Sequence, residues 1–463
     1  MTTNSVALAL TATFSFAVPA QAAVLTVQAT EDAAATQALP LSIEEAVGLA
    51  VSRSFRAKRA QRNSAISDLR RKGAKAEYLP RLEANVVGEQ AMRSYVEQGV
   101  TYDPYANRDF RGGATSGLWM PIDVSGVIKR QVRRAETDAE IAAHEIDQAT
   151  LDAGLEAENN YLNALRAQEN VAADTRVVQQ IEKLLEASRA RAPGVVPFLQ
   201  VELGNAQQAL TSSRTGADQA QDGLKQTLRM PLDVRLHLTT KLGVEDQATA
   251  NRGLLERAMA LRPDVQQAEL RIRQAELAER QQGDSRRPSV SIAGFMNHEL
   301  VGTTPLSSEA RRVMNRGIGV NVKVPIARYD GGQLSRQKEI ASLNTEQAVS
   351  DAQELRERVA YDLRQAQLAL ERAENRIASL PDKKQAFDAM VRAEQQMLGA
   401  PQAEAQSLLA QVTNARSAWR SAETAAVDAT IDYNRALFRM KRTLGERREA
   451  KPDGGGMPQV QGF

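Results

Sequence analysis

His144, His237 and His298 are the only imidazoles in the chain, and they lie too far apart to share a metal or a proton relay. There is no cysteine, which removes disulfides, thiolate metal sites, a cysteine nucleophile and a lipid-acylated terminus together. Gly317-Ile318-Gly319 lacks the third glycine and the following helix that a dinucleotide-binding turn requires. Acidic and basic residues are plentiful, 57 against 59, but they sit on helix faces where Lys and Arg can pair with Asp and Glu. The net charge of +2 calls for no nucleic-acid partner. No set of side chains meets the requirements of an active site, so the sequence predicts neither an enzyme nor a cofactor.

The elements that would position any chemistry follow a repeated order. An amphipathic helix, a proline, alternating strands, a Pro-Ile/Gly turn and a very long helical stretch occur twice, offset by 208 residues. Pro80 answers Pro288, and Phe55 answers Pro263. Trp119-Met120-Pro121-Ile122 answers Lys323-Val324-Pro325-Ile326, four residues out of step, and Ser125-Gly126 answers Gly331-Gly332, two residues out of step. The first copy spans 41–229, a linker 230–250, and the second copy 251–445. Val6 to Val18 is an apolar run closed by Ala20-Gln21-Ala22, which predicts a signal peptide over 1–22, then a flexible segment over 23–40. Residues 446–463, with three consecutive glycines, are expected to be disordered.

Ser42-Ile43-Glu44-Glu45 has the form of a capping box, opening a helix that runs through Ala50, Ile66 and Leu69 towards Gly73. Leu82, Ala84 and Val86 then alternate with Glu83 and Asn85. The cleanest period of two is Ile318, Val320, Val322, Val324 and Ile326 against Gly319, Asn321, Lys323 and Pro325. From about Val127 to Arg191, and again from about Leu334 to Leu398, turn chemistry is nearly absent. Leu363, Ala366, Leu370, Ala373, Ile377 and Leu380 step as a coiled-coil seam, with Pro381 expected to kink the second rod.

The fold class is therefore mainly α with a small β part. Four strands with one apolar face and no second sheet cannot close alone, and lipid satisfies no free backbone edge. Three chains would supply twelve strands, an even number as bacterial barrels have. This predicts a homotrimer: a transmembrane β-barrel facing lipid through Ile318, Val320, Val322, Val324 and Ile326, continued by long helical hairpins. A soluble periplasmic coiled-coil scaffold or adaptor is the alternative, and it leaves the strand alternation unexplained.

Over nearly the whole length after residue 22, the chain resembles the TolC-type outer-membrane efflux proteins. The likeness rests on Leu41-Ser42-Ile43-Glu44-Glu45-Ala46 with Leu79-Pro80, on Arg262-Pro263-Asp264-Val265, on Val324-Pro325-Ile326 with Tyr329-Asp330-Gly331-Gly332-Gln333, and on Asp432-Tyr433-Asn434 to Leu444-Gly445. It implies a trimeric exit duct in the outer membrane of a Gram-negative cell, with a helical barrel across the periplasm. It further implies a periplasmic adaptor and an inner-membrane pump or ABC transporter, as in tripartite efflux or type I secretion. The turn Arg191, Gly194, Val195, Val196 and Leu199 resembles the family's adaptor-docking tip. Glycine would permit its reversal, and Val195 and Val196 would be exposed for want of a core. An ordinary hairpin turn, which also favours Gly and Pro, is the plain alternative. Where the family carries paired acids narrowing the pore, this chain has Gln411 and Asn414, so amides replace the expected carboxylates at the constriction.

Overall fold

The computed structural model describes residues 39–92, 96–97, 100–101, 108–240, 243, 253–282, 284, 287–302, 311–324 and 331–446. The signal-peptide segment, Ile326 and residues 447–463 lie outside them. β1 (Leu39–Leu41) leads into α1 (Ile43–Arg53), whose capping box forms as expected: Ser42 Oγ accepts from the Glu45 amide and Glu45 Oε2 from the Ser42 amide. The expected single helix towards Gly73 is broken. Ser54 leaves helical geometry and caps α2 (Phe55–Ala76) by accepting from the Ala57 amide. A serine hydroxyl competes for backbone amides, which makes it a good start and a poor interior.

Strands β2 (Arg81–Met92), β3 (Val96–Glu97), β4 (Val100–Thr101) and β5 (Arg108–Ile122) follow, with β3 and β4 forming a short antiparallel ladder of their own. α3 (Val127–Arg191) then runs 65 residues, roughly 100 Å at the helical rise. Its start is fixed by Gly126, in the left-handed region at φ 67°, and by Asp123, which accepts from the Ile128 and Lys129 amides. α4 (Val196–Leu228) returns beside it. β6 (Leu236–Leu238) pairs in parallel with β1, so the expected flexible segment already has structure at Leu39 and Pro40, and the linker contains a strand.

α5 (Leu254–Leu261) and α6 (Pro263–Gln281) are separated at Arg262, 208 residues after the break at Ser54. β7 (Ser289–Gly302) and β8 (Arg311–Lys323) come next. The second rod is not one kinked helix. α7 (Gln333–Ala378) stops, and α8 (Lys383–Gly399) restarts after Pro381 behind an Asp382 cap that accepts from the Lys384 amide. Pro381 lacks an amide hydrogen, and Asp382 offers a new cap one residue later, so the chain re-initiates instead of bending. α9 (Gln402–Thr443) returns, and Glu446 at the head of the expected tail is held by Arg257 at 2.6 Å.

The four long strands form one antiparallel sheet in the order β2-β5-β7-β8. Cross-strand partners share a face, and the register gathers the apolar residues on one side. One row joins Leu82, Leu118, Gly294 and Ile318; the next joins Met120, Ile292 and Val320; a third joins Ile122, Val290 and Val322. The opposite side carries Glu83, Asn85, Thr115, Ser291, Asn297, Asn321 and Lys323. On that polar side Phe295 lies over Gly317 and Trp119 over Gly117, where a Cβ would come within about 3.0 Å of either ring. The apolar side is bare: Ile318 is 86% and Val86 81% exposed. Both outer strands, β2 and β8, keep one unpaired edge among the described residues.

Helices pack laterally in the sequence α2 and α4, then α3, then α6 and α9, then α7. Leu41, Ile43, Tyr161, Leu224, Leu228, Ile431 and Phe438 join β1, α1, α3, α4 and α9 in one core midway along the rods. Tyr161 is fully buried there. Its hydroxyl donates to the Leu41 carbonyl at 2.8 Å and accepts from the Thr240 amide at 3.2 Å, so it ties the short β1/β6 sheet to the rod. Tyr161→Phe should therefore lower unfolding stability by about 1–3 kcal/mol, chiefly the cost of leaving the Thr240 amide without an acceptor, since the Leu41 carbonyl keeps the Thr239 amide. Equal denaturation midpoints for the variant and wild type would show that the tie contributes nothing.

Candidate docking tip and channel-facing surfaces

At the far end of α3 the helix closes on Ala192, whose amide donates to the Ser188 carbonyl at 2.9 Å. Pro193, Gly194 and Val195 make one tight helical turn, and Val196 and Pro197 begin α4. Proline suits the first turn of a helix, where its missing amide hydrogen is not needed. Gly194 is not among the glycines with positive φ, so the reversal does not depend on a left-handed glycine as the sequence suggested.

The side chains also depart from expectation. Val195 and Leu199 are fully buried, and Val196 is half-buried. They have a core to join because the second hairpin supplies it: Met397, Ala405 and Val412 pack against Leu184, Leu185 and Ala192. What the tip presents to solvent is Arg191, Pro193, Pro197, Phe198 and Val201, with Gly194 half-exposed. Gln411 and Asn414 are both exposed on α9, flanking buried Val412, and no carboxylate stands between them.

One group of the tip escaped sequence reasoning. Arg416 is 3% exposed at its side chain and bridges two acids, Glu202 of α4 at 2.6 Å and Glu394 of α8 at 3.0 Å. It stands four residues after Val412 on the apolar stripe of α9, and a cation on such a stripe must bring its own counter-charge inside. Burial raises the Glu394 pKa, and the Glu202 carboxylate adds to this, against the pull of Arg416. Above the triad the pairing continues along α3 and α9: Arg420 with Asp174 at 2.6 Å, Arg176 with Glu423 at 3.3 Å, Arg166 with Asp428 at 2.7 Å. The two hairpins of the chain are thus joined by charge where the apolar seam is thin.

The outer flanks of the helical layer have no partner within the chain. Ile66 and Leu69 on α2 and Ile340, Leu343 and Tyr361 on α7 are exposed at opposite ends of the packing order. No described helix is long and apolar enough to cross a membrane. Among the described residues, no group of three or more His, Cys, Asp or Glu could hold a metal ion.

No protein-family model matches the chain, and no curated protein matches it in sequence. Solved structures do. The outer-membrane channel OprN is 16% identical and superposes on 88% of this chain and 90% of its own with a TM-score of 0.73. The open state of the Neisseria gonorrhoeae MtrE outer membrane channel is 18% identical, covering 87% and 89% at a TM-score of 0.69. The Campylobacter jejuni CmeC outer membrane channel is 15% identical, covering 87% and 85%, also at 0.69. The chain has the fold of the TolC-type outer-membrane channels.

The triad sets a pH dependence with a definite sign. A carboxyl whose folded pKa is raised binds a proton in the native state that the unfolded chain has already lost. The tip should therefore lose stability as pH rises from the ordinary glutamate range through the raised value of Glu394. Glu394→Gln should flatten that slope while Glu202 still neutralises Arg416. Arg416→Met, which leaves two half-buried acids facing each other without a cation, should cost about 1–3 kcal/mol. Amide hydrogen exchange across 184–199 and 397–412 at several pH values reads both effects; a wild-type slope of opposite sign would refute the assignment.

Proposed function

We propose that three copies of this chain close their sheets into a twelve-stranded barrel in the outer membrane of a Gram-negative cell. Their helices continue it as a periplasmic tube, and the whole is the passive exit duct of a tripartite efflux or type I secretion system. One observation carries the reading: an open four-stranded sheet with a bare apolar face and two free edges, joined to helices of which α3 is roughly 100 Å and α7 roughly 70 Å long. Lipid covers the apolar face, and neighbouring copies cover the edges. The exposed apolar residues of α2 and α7 at the two ends of the helical layer suit the same three-fold closure. The helix breaks at Ser54 and Arg262 and the recurring element order support an internal duplication. A duct performs no bond chemistry, in keeping with a non-enzymatic, cofactor-free role. A soluble scaffold would leave Ile318 and Val320 in water.

The adaptor of the periplasm, itself joined to an inner-membrane pump or ABC transporter, would dock at the tip. The surface available to it is Arg191, Gly194, Val196 and the exposed Phe198, while Val195 and Leu199 hold the turn from inside. Phe198→Asp should thus leave assembly intact and abolish export, whereas Val195→Asp should unfold the tip itself, because it buries a charge among Met397 and Val412. Trimer yield, adaptor cross-linking and export measured together separate the two. Normal cross-linking and export in Phe198→Asp would remove the docking proposal.

In detergent the protein should run at about three times its 50.5 kDa chain mass, less any leader. Val320→Arg or Val322→Arg should cost about 2–4 kcal/mol at mid-membrane depth, and Asn321→Arg little. A strand-rich monomer by light scattering, or equal losses from both faces, would overturn the barrel.

A further inference from the structure

A groove of 560 Å³ lies between α3, α7 and α9 midway along the rods. Its floor is apolar, from Leu155, Ala369, Ala373 and Ala436, and its rim carries Arg372, Arg376, Arg435 and Arg439 against a single acid, Asp432. Two of the four guanidiniums are already oriented. Arg376 donates to Asp432 at 2.5 Å, and Arg435 to Asn163 Oδ1 at 2.7 Å. Arg372 and Arg439 are exposed, and their guanidinium groups have neither hydrogen-bond nor ion-pair partners among the described residues. This differs from the ion pairs elsewhere along α3 and α9, where arginines are matched by acids.

The position of the groove follows from what covers the other side of α9. There Ile431 and Phe438 enter the core with β1 and α1, and Asn434 donates to the Gly243 carbonyl at 3.0 Å. That layer of short elements occupies one face of the helical wall, and the arginines occupy the opposite, open face. In the proposed duct that layer would obstruct the bore if it lay inside, so we assign it to the outside and the groove to the channel side.

We propose that this groove is a binding site for amphipathic organic anions, compounds with a sulfonate, carboxylate or phosphate head on an apolar body, which the channel conducts. The proposal rests on the duct reading for its place in the lumen, while the site itself lies within one chain. Guanidinium groups match a planar or tetrahedral anion with paired donors, and the alanine and leucine floor gives an apolar body a dry surface. The volume is that of a pocket for a drug-sized molecule. Three copies in a trimer would place twelve arginines and three aspartates around the lumen at one level, a positive collar that favours anions in transit.

The test uses 2-naphthalenesulfonate as the probe, with 2-naphthylmethylammonium and inorganic sulfate as controls for charge and for the apolar body. Calorimetric titration of the detergent-solubilised protein should show the sulfonate binding more tightly than either control. The paired change Arg372→Gln and Arg439→Gln should weaken binding about tenfold or more, since each removes a charge-assisted contact. Asp432→Asn should tighten it by removing the competing acid. In planar bilayers the sulfonate should partially block the wild-type current, and the block should weaken in the paired variant. Equal binding of all three probes, or unchanged affinity in the paired variant, overturns the site. Binding with the expected variant response but no conductance would preserve the site and sink the duct reading instead.

Discussion

An unpaired backbone amide or carbonyl has no partner in hydrocarbon, and the closed barrel proposed for this chain answers that single constraint. The sheet β2-β5-β7-β8 ends in two bare edges and turns a row of Leu, Ile, Val and Met side chains outward. Such a surface is an aggregation hazard in water and a stable wall in lipid once the edges meet copies of themselves. In the proposed duct everything else serves that closure. The left-handed Gly126 turns β5 into α3 within five residues, the left-handed Gly332 opens α7, and the rods continue the wall below the sheet.

The helical part faces a different problem. Long antiparallel helices of alanine, glutamine and arginine bury little apolar volume, so the seams are thin and charge takes up part of the joining. The pairs Arg166–Asp428, Arg176–Glu423 and Arg420–Asp174 are partly exposed and individually worth little. Arg416 is the exception. Enclosed with two glutamates, it contributes less to net stability than to register, because a shifted α9 would leave it without either acid. The apolar knot of Val195, Leu199, Met397 and Val412 lies beside it, so tip shape and charge pairing are set together.

Local pattern and non-local contact divide what the sequence could disclose. Legible in advance were the bounds of α3, the capping box at Ser42, the alternation of Ile318 to Val324 and the mostly helical class, each of which depends on neighbours within a few residues. Missed were the features that a distant segment decides. Val195 looked exposed because nothing near it in sequence could cover it; the cover comes from Met397 and Val412, two hundred residues on. Arg416 looked like one more surface cation on a charged helix, and its partners arrive from α4 and α8. The breaks at Ser54 and Pro381 are local, yet hydrophobic period alone reads them as continuous helix and kink, because it does not register a residue that caps as well as it continues.

The same division explains why the arginine groove is invisible in one dimension. Arg372 and Arg376 belong to α7, and Arg435 and Arg439 to α9, each pair at the helical spacing of four that a solvated face also shows. Only the antiparallel return of α9 brings the two pairs to one level and leaves a single Asp432 among four cations. On an outer surface such an excess would be matched by solvent and salt at little consequence. Inside a narrow tube, field lines are confined by low-dielectric walls, and three-fold repetition stacks the charge in one plane. In the proposed duct, arginines midway along the length would therefore attract negative cargo there, with amides at Gln411 and Asn414 nearer the tip.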